Sequence, residues 1–449
     1  MSFLIVTCLV CALPSLLPII RIVNKKELNM FDFIILFSTL HFCISPIKEG
    51  SHAFFTDDGI YNVFIFYFCY IYIILLIDIY YHQYCENKNV IINTSRYLQN
   101  FTHLEFKMVG KILIGLSIFV MLTYYLPRAT IVAASKEISA VSYEESSLTM
   151  ALGSIIKIVG FLLFLDFSYR LKTGVKDKIN TICLVIYLLI LAFFPRREFL
   201  SALLQLVLSL YSVHRSFFTL KKVSILGCVA AFIWLVYFPF YNVIRWNPIS
   251  FDSSHPVESL CSIVDYGISN YSLNAEDQLE SSQERSLGLY NAVYLLAKRN
   301  ITPQNGELTL SDIDISIPKL LNPDKGNGSE VTLEKMAGAN ADIADSFMLL
   351  SYGEFGILGG IYCCFLYVFF IFLYSKYAQF YSKYLKSNLI SIFILFTMID
   401  NLWNVEGKVS TYFSWFFSSI ITIFIVLLLE ERKIITIYKK SDILDNVDC

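Results

Sequence analysis

Ala341-Asp342-Ile343-Ala344-Asp345-Ser346, then Gly353-Glu354-Phe355-Gly356 and Gly359-Gly360, marks the return of a polar stretch, residues 245–345, into apolar sequence. On both sides of that stretch the chain is almost continuously apolar. A membrane protein has little reason to keep so large a polar segment among its helices unless the segment does something. The junction, where carboxylates and glycines meet apolar sequence, is therefore the first place to look for chemistry.

Composition bounds the class. Of 449 residues 56% are hydrophobic and 16% charged, with a mean hydropathy of +0.59. Soluble domains carry about 25% charged residues, so the chain reads as a membrane protein. A net charge of −2 offers no basic surface for nucleic acid. A bilayer core takes about 20 apolar residues per helix. That length gives eleven spans, near 2–20, 31–47, 60–80, 109–126, 149–169, 179–194, 198–214, 223–243, 346–374, 388–402 and 409–429. The expected fold is an all-α polytopic membrane protein of about eleven transmembrane helices, with one large extracytoplasmic loop between helices 8 and 9. Helices 1–8 then occupy 1–244, the loop 245–345, and helices 9–11 with a short tail 346–449. The ninth span is long and interrupted by glycine, so a tilted or broken helix is expected there.

Basic residues set the sidedness. One set of connections holds Arg21, Lys25 and Lys26, then Lys88 to Lys111, Arg170 to Lys178, Arg215 to Lys222, and Lys376 to Lys386. The opposite short loops hold only Lys48, Arg128, Lys136, Arg196, Arg197 and Lys408. The positive-inside rule makes the first set cytoplasmic. The N-terminus is then periplasmic, the C-terminus cytoplasmic and the large loop outside. No positive segment precedes the first apolar run, so the first helix reads as retained. In the loop, Val257, Leu260, Ile263 and Val264, and again Leu289, Tyr290, Val293, Tyr294 and Leu296, have helical spacing. Two amphipathic helices on the outer membrane face are expected. Cys261 is the loop's single thiol, so no internal disulfide holds it.

Arg196 and Arg197, in Pro195-Arg196-Arg197-Glu198, stand at a helix tip on the side that is otherwise poor in arginine. Arginine costs about 2.5–3.5 kcal/mol at the bilayer centre, less near the surface, and persists where it meets an anion. A lipid diphosphate is such an anion, and guanidinium grips phosphate oxygens in pairs. Headgroup snorkelling, or pairing with Glu198, is the plainer reading. Arg128, after Pro127, and Arg245 add two more guanidiniums at outer helix ends. Four converging guanidiniums would stabilise a departing diphosphate without a metal.

Asp342, Asp345 and Glu354 are the acid–base candidates. Asp342 and Asp345 share a helical face, and a carboxylate at an apolar boundary can accept a proton from an attacking hydroxyl. Solvated acids in a first helical turn are the competing reading. Gly356 and Gly360 have the spacing of close helix contact. Asp57-Asp58 is the rival pair, able to hold a divalent metal, although adjacent acids in a short loop more often make a turn. Asp32, Asp78 and Asp166 lie near helix ends, where they can reach water. Lys157 and His41 are more internal, and His255 is a spare base in the loop.

This layout, with Pro195-Arg196-Arg197, Ile317-Pro318-Lys319, Pro323-Asp324-Lys325, Asp345-Ser346 and Gly353-Glu354-Phe355-Gly356, resembles the bacterial O-antigen polymerases (Wzy), the oligosaccharide repeat unit polymerases. The resemblance implies a GT-C-like glycosyltransferase of the inner membrane that needs no metal or other cofactor. Its substrates would be an undecaprenyl-diphosphate-linked oligosaccharide donor and acceptor, with membrane lipid and a chain-length regulator protein as further partners. The growing glycan would move to the non-reducing end of the next unit, releasing undecaprenyl diphosphate. Arg196 with Leu200, and Arg285 with Leu289, show the Arg-x-x-x-Leu spacing of this family and of O-antigen ligases. A longer Arg-to-Gly loop motif of some members is absent after Arg128, Arg245 and Arg285. The alternatives are an O-antigen ligase, which would use His255, a lipid-phosphate-sugar glycosyltransferase, which would use Asp57 and Asp58, and a lipid-linked oligosaccharide transporter. The transporter should show paired repeats, and none is evident.

Overall fold

The computed structural model describes residues 9–24, 26, 28–39, 59–85, 101–106, 108–125, 147–192, 196–237, 255–269, 293–299, 301–317, 322–324, 326, 328–337, 346–384, 388–403, 407–432 and 434–439. Within them the chain is helical apart from one short ribbon. In chain order come α1 (Leu16–Val23), α2 (Met30–Ser38) and α3 (Gly59–Tyr80), then β1 (Phe101–Phe106). There follow α4 (Met108–Val120), α5 (Ser147–Thr173), α6 (Lys178–Leu191), α7 (Arg196–Val213) and α8 (Leu220–Phe232). The polar stretch contributes α9 (Pro256–Ser269), α10 (Glu307–Ser316) and α11 (Ser329–Ala337). The chain continues through α12 (Phe347–Phe355), α13 (Gly359–Tyr384), α14 (Asn388–Trp403), α15 (Val409–Glu431) and β2 (Ile435–Lys439).

Two compact units emerge. The first is Met1–Asn93, Ser281–Ser387 and Ile394–Ile420; the second is Thr94–Glu280, Asn388–Phe393 and Ile421–Cys449. The polar stretch is therefore divided, with α9 in the second unit and α10 and α11 in the first.

In the first unit, Asn29 starts α2 with a capping box. Its side chain accepts from the Asp32 N–H, and Asp32 accepts in return from the Asn29 N–H. The two helices α2 and α3 are joined at Ser38 and Tyr70, whose hydroxyls lie 2.8 Å apart. Helix α3 then packs on α13 at Gly360, where a Cβ would lie 2.6 Å from the Phe66 carbonyl oxygen. Only glycine permits that approach, as the spacing of Gly356 and Gly360 suggests. Gly356 serves differently: its φ of +58° caps α12 and reverses the chain. Helix α12 folds back along α13, so Phe347 meets Tyr367 at 4.8 Å and Phe370 at 5.5 Å, and Tyr412 of α15 at 4.7 Å. The expected break in the ninth span is this hairpin.

In the second unit, α5 and α6 touch where Gly160 faces the Tyr187 ring. Arg170 fastens the start of α6, donating to Asp166 at 2.8 Å, the Asp177 carbonyl at 2.7 Å and the Thr181 hydroxyl at 3.0 Å. The strands β1 and β2 pair antiparallel, Phe106 opposite Ile435. Helices alone were expected, so this ribbon is an addition to the sequence reading.

Two stretches are long and apolar enough to cross a membrane among the described residues: Tyr61–Gln83 and Phe347–Tyr384. The second comprises the α12–α13 hairpin rather than one straight rod, and α13 alone has 26 residues. At 1.5 Å per residue that is about 39 Å, enough to span an apolar core of about 30 Å. The apolar helices Leu9–Val23, Val109–Thr123, Lys178–Leu191, Glu198–Val213 and Leu389–Leu402 are shorter, and coincide with five other expected spans.

Two expectations change. Asp32, Asp78 and Asp166 do not reach water but are buried, at 0%, 0% and 2% exposure. Val293, Tyr294 and Leu296 are equally buried, so that helical segment is core of the first unit and not a surface-lying helix.

Candidate functional site at the return of the polar loop

The sequence points to the junction around Glu354, and the structure gives that carboxylate a definite task. Gly353 lies so close to α10 and α11 that a Cβ would stand 2.8 Å from methyls of both Leu308 and Leu333. The chain entering α10 pairs with the end of α12: the N–H groups of Gln304 and Asn305 donate to the carbonyls of Gly353 and Glu354, at 3.2 and 3.1 Å. Asn305 and Gly306 both take positive φ, 51° and 106°, to make this turn. The Glu354 side chain then accepts from the Gly306 N–H, from the Thr309 N–H at 2.7 Å and from the Thr309 hydroxyl at 2.9 Å. It is a buried carboxylate set at the N-terminus of α10, where orphan N–H groups and the helix dipole favour an anion. The Thr309 hydroxyl also meets Tyr362 of α13 at 2.9 Å.

Two aspartates extend the same device. Asp312 accepts from the N–H of Ser329 at 3.0 Å, at the start of α11, and from the N–H of Ser410 at 3.3 Å, in the first turn of α15. Asp314 accepts from the Asn322 amide at 2.6 Å and from the Gly326 N–H at 3.2 Å. Lys408 pairs with Glu330 of α11. The late part of the polar stretch is thus a folded platform, fixed by acids to α12 and the start of α15 and by the Thr309 hydroxyl to α13. Asp312 and Asp314 did not stand out in the sequence, because their backbone partners Ser329 and Gly326 lie 17 and 12 positions downstream.

Both oxygens of Glu354 are committed to donors, which fits an anchor better than a proton acceptor. Asp342 and Asp345 lie outside the described residues, as do Arg128, Arg245, Arg285, Asp57, Asp58 and His41. Ser346, the residue after Asp345, is buried and caps α12 by accepting from the Leu349 N–H at 3.1 Å. Arg196 and Arg197 open α7, and their side chains are outside the described set. The next acid, Glu198, faces Lys157 at 3.8 Å. Lys157 is exposed along α5. His255 is exposed at the start of α9.

A second polar cluster lies in the first unit. Arg21 bridges Asp32 and Asp78, the latter at 2.8 Å. The Asn29 amide donates to Asp78 at 2.6 Å and meets the His82 Nε2 at 2.8 Å. Asp32, Asp78 and His82 offer ligand atoms within 4.8 Å of one another. The Arg21 guanidinium already holds the space between the carboxylates, so the group reads as an ion-pair cluster and not a metal ligand set. It ties α1, α2 and α3 together.

No protein-family model matches the chain, and neither the curated proteins nor the solved structures include a significant match to it.

Proposed function

We propose that the protein is a glycosyltransferase of the O-antigen polymerase kind, embedded in the bacterial inner membrane through about eleven helices. It joins undecaprenyl-diphosphate-linked oligosaccharide repeat units at the periplasmic face into an O-antigen or capsule-like polysaccharide, and releases undecaprenyl diphosphate. The observation that carries the reading is the platform of α10 and α11, locked by Glu354 and Asp312 onto apolar helices of membrane-crossing length. A polar unit rigidly fixed to the bilayer surface suits two lipid-borne glycans that must meet in a set geometry.

In this mechanism Arg128, Arg196, Arg197 and Arg245 hold the diphosphate and neutralise charge as it departs. Asp342 or Asp345 takes the proton of the attacking hydroxyl, while Glu354 positions the platform. Arg196→Ala, at normal abundance, should leave only single-repeat lipopolysaccharide on a gel, with Arg196→Lys restoring part of the ladder because it lacks the paired donors. An unchanged ladder from Arg196→Ala would remove the arginine mechanism.

A further inference from the structure

Helix α8 carries a groove that the polymerase reading does not use. It is lined by Lys221, Ser224, Ile225, Cys228, Val229 and Phe232 and has a volume of about 550 Å³. The positions recur at three- and four-residue steps, so they form a single stripe along the helix. The stripe is polar at one end and apolar along the rest, and Ile225, Val229 and Phe232 are 52%, 48% and 60% exposed. From Lys221 to Phe232 is eleven helical steps, or about 16 Å of helix, close to the roughly 15 Å apolar depth of one leaflet.

The polar end gathers positive charge from two elements of the second unit, α5 and α8. Lys221 stands at the mouth of the groove, and Lys222 lies over the Phe217 ring at 3.7 Å. Lys172, at the end of α5, and Lys222 both act on His214, which follows the last residue of α7. Both charges reach that imidazole. Among the described residues no carboxylate lies within ion-pair distance of Lys172, Lys221 or Lys222. A headgroup phosphate would complete what the protein leaves open.

We propose that this groove binds one anionic phospholipid, its phosphate at Lys221 and Lys222 with Lys172 alongside, and an acyl chain along Ile225, Val229 and Phe232. The length match and the charge complementarity favour a lipid with an anionic headgroup as the occupant. The site rests on the membrane reading, and it concerns the leaflet that the basic residues mark as cytoplasmic.

The test reconstitutes the full chain in nanodiscs of phosphatidylcholine, with or without phosphatidylglycerol, and reads bound lipid by native mass spectrometry after release. Phosphatidylglycerol should be retained roughly tenfold over phosphatidylcholine, as two lysines near a membrane surface permit. The double variant Lys221→Gln/Lys222→Gln should lose most of that preference. Val229→Trp, which fills the exposed groove without touching the core, should lower retention of both lipids. Lys376→Gln/Lys383→Gln, basic positions in the first unit, should change nothing. Equal retention of the two lipids by the parent, or loss of preference in the control variant, overturns the site. So does competition by free glycerol phosphate as effective as by the intact lipid, since the acyl groove would then be idle. Release of the chain from membranes by alkaline carbonate would instead overturn the membrane reading beneath it.

Discussion

Replacing Glu354 separates an anchoring carboxylate from a chemical one. In the native protein it accepts three hydrogen bonds, two from the backbone N–H groups of Gly306 and Thr309 and one from the Thr309 hydroxyl. Glu354→Ala removes all three, but the hydroxyl keeps Tyr362 at 2.9 Å as a partner. Two backbone donors are therefore stranded, at about 1–3 kcal/mol each, for a total near 4 kcal/mol. Glu354→Gln keeps an oxygen for Thr309 and turns an N–H toward Gly306, so its cost is about half. One kcal/mol moves the midpoint of a unit of 150–250 residues by about 2–4 °C, so alanine should lower it by roughly 8–16 °C and glutamine by less. Scanning fluorimetry in detergent reads the midpoint, and trypsin cleavage at Arg299 reports whether the platform loosens. An alanine variant within about 1 °C of the parent would refute the anchoring argument. A glutamine variant with parental stability and no polymer would make Glu354 a participant in the chemistry instead.

Arg21→Ala leaves Asp32 and Asp78 buried without their shared cation, and breaking such a pair costs about 3–5 kcal/mol. Adding Asp32→Asn should recover part of that loss in the same melting experiment, whereas no recovery would show that Arg21 stabilises by packing alone. Gly360→Ala sets a methyl against the Phe66 carbonyl, which is backbone and cannot rotate away, so a loss of about 1–3 kcal/mol is expected. Gly115→Ala, with nothing within 4 Å of its Cβ, is the matched control, and equal melting of the two variants would contradict the packing of α3 on α13.

The apolar windows foretold most of the helices because length and composition alone define them. The break in the ninth span was legible too, since Gly353, Gly356, Gly359 and Gly360 interrupt an otherwise apolar run. What periodicity could not give is the partner of each buried acid. Asp32 and Asp166 look like helix-end residues free to face water until Arg21 and Arg170 are seen beside them, 11 and 4 positions away in sequence. Leu296 and Val293 carry a helical pattern that suits either a membrane surface or a protein core, and packing decided for the core. The ribbon went unread because Thr102-His103-Leu104-Glu105-Phe106 alternates over too few residues to compete with the surrounding apolar runs. At the site, Glu354 was visible as a junction carboxylate, but its commitment to α10 depends on residues 45 and 48 positions upstream.

Polymerisation can be watched with the purified chain in liposomes, supplied with undecaprenyl-diphosphate-linked repeat units in the presence of EDTA. A polymerase yields a ladder of lengthening glycans on lipid and releases one undecaprenyl diphosphate per linkage formed. Intact repeat units appearing on the opposite side of the bilayer, with no glycan longer than one unit, would contradict it and identify a transporter.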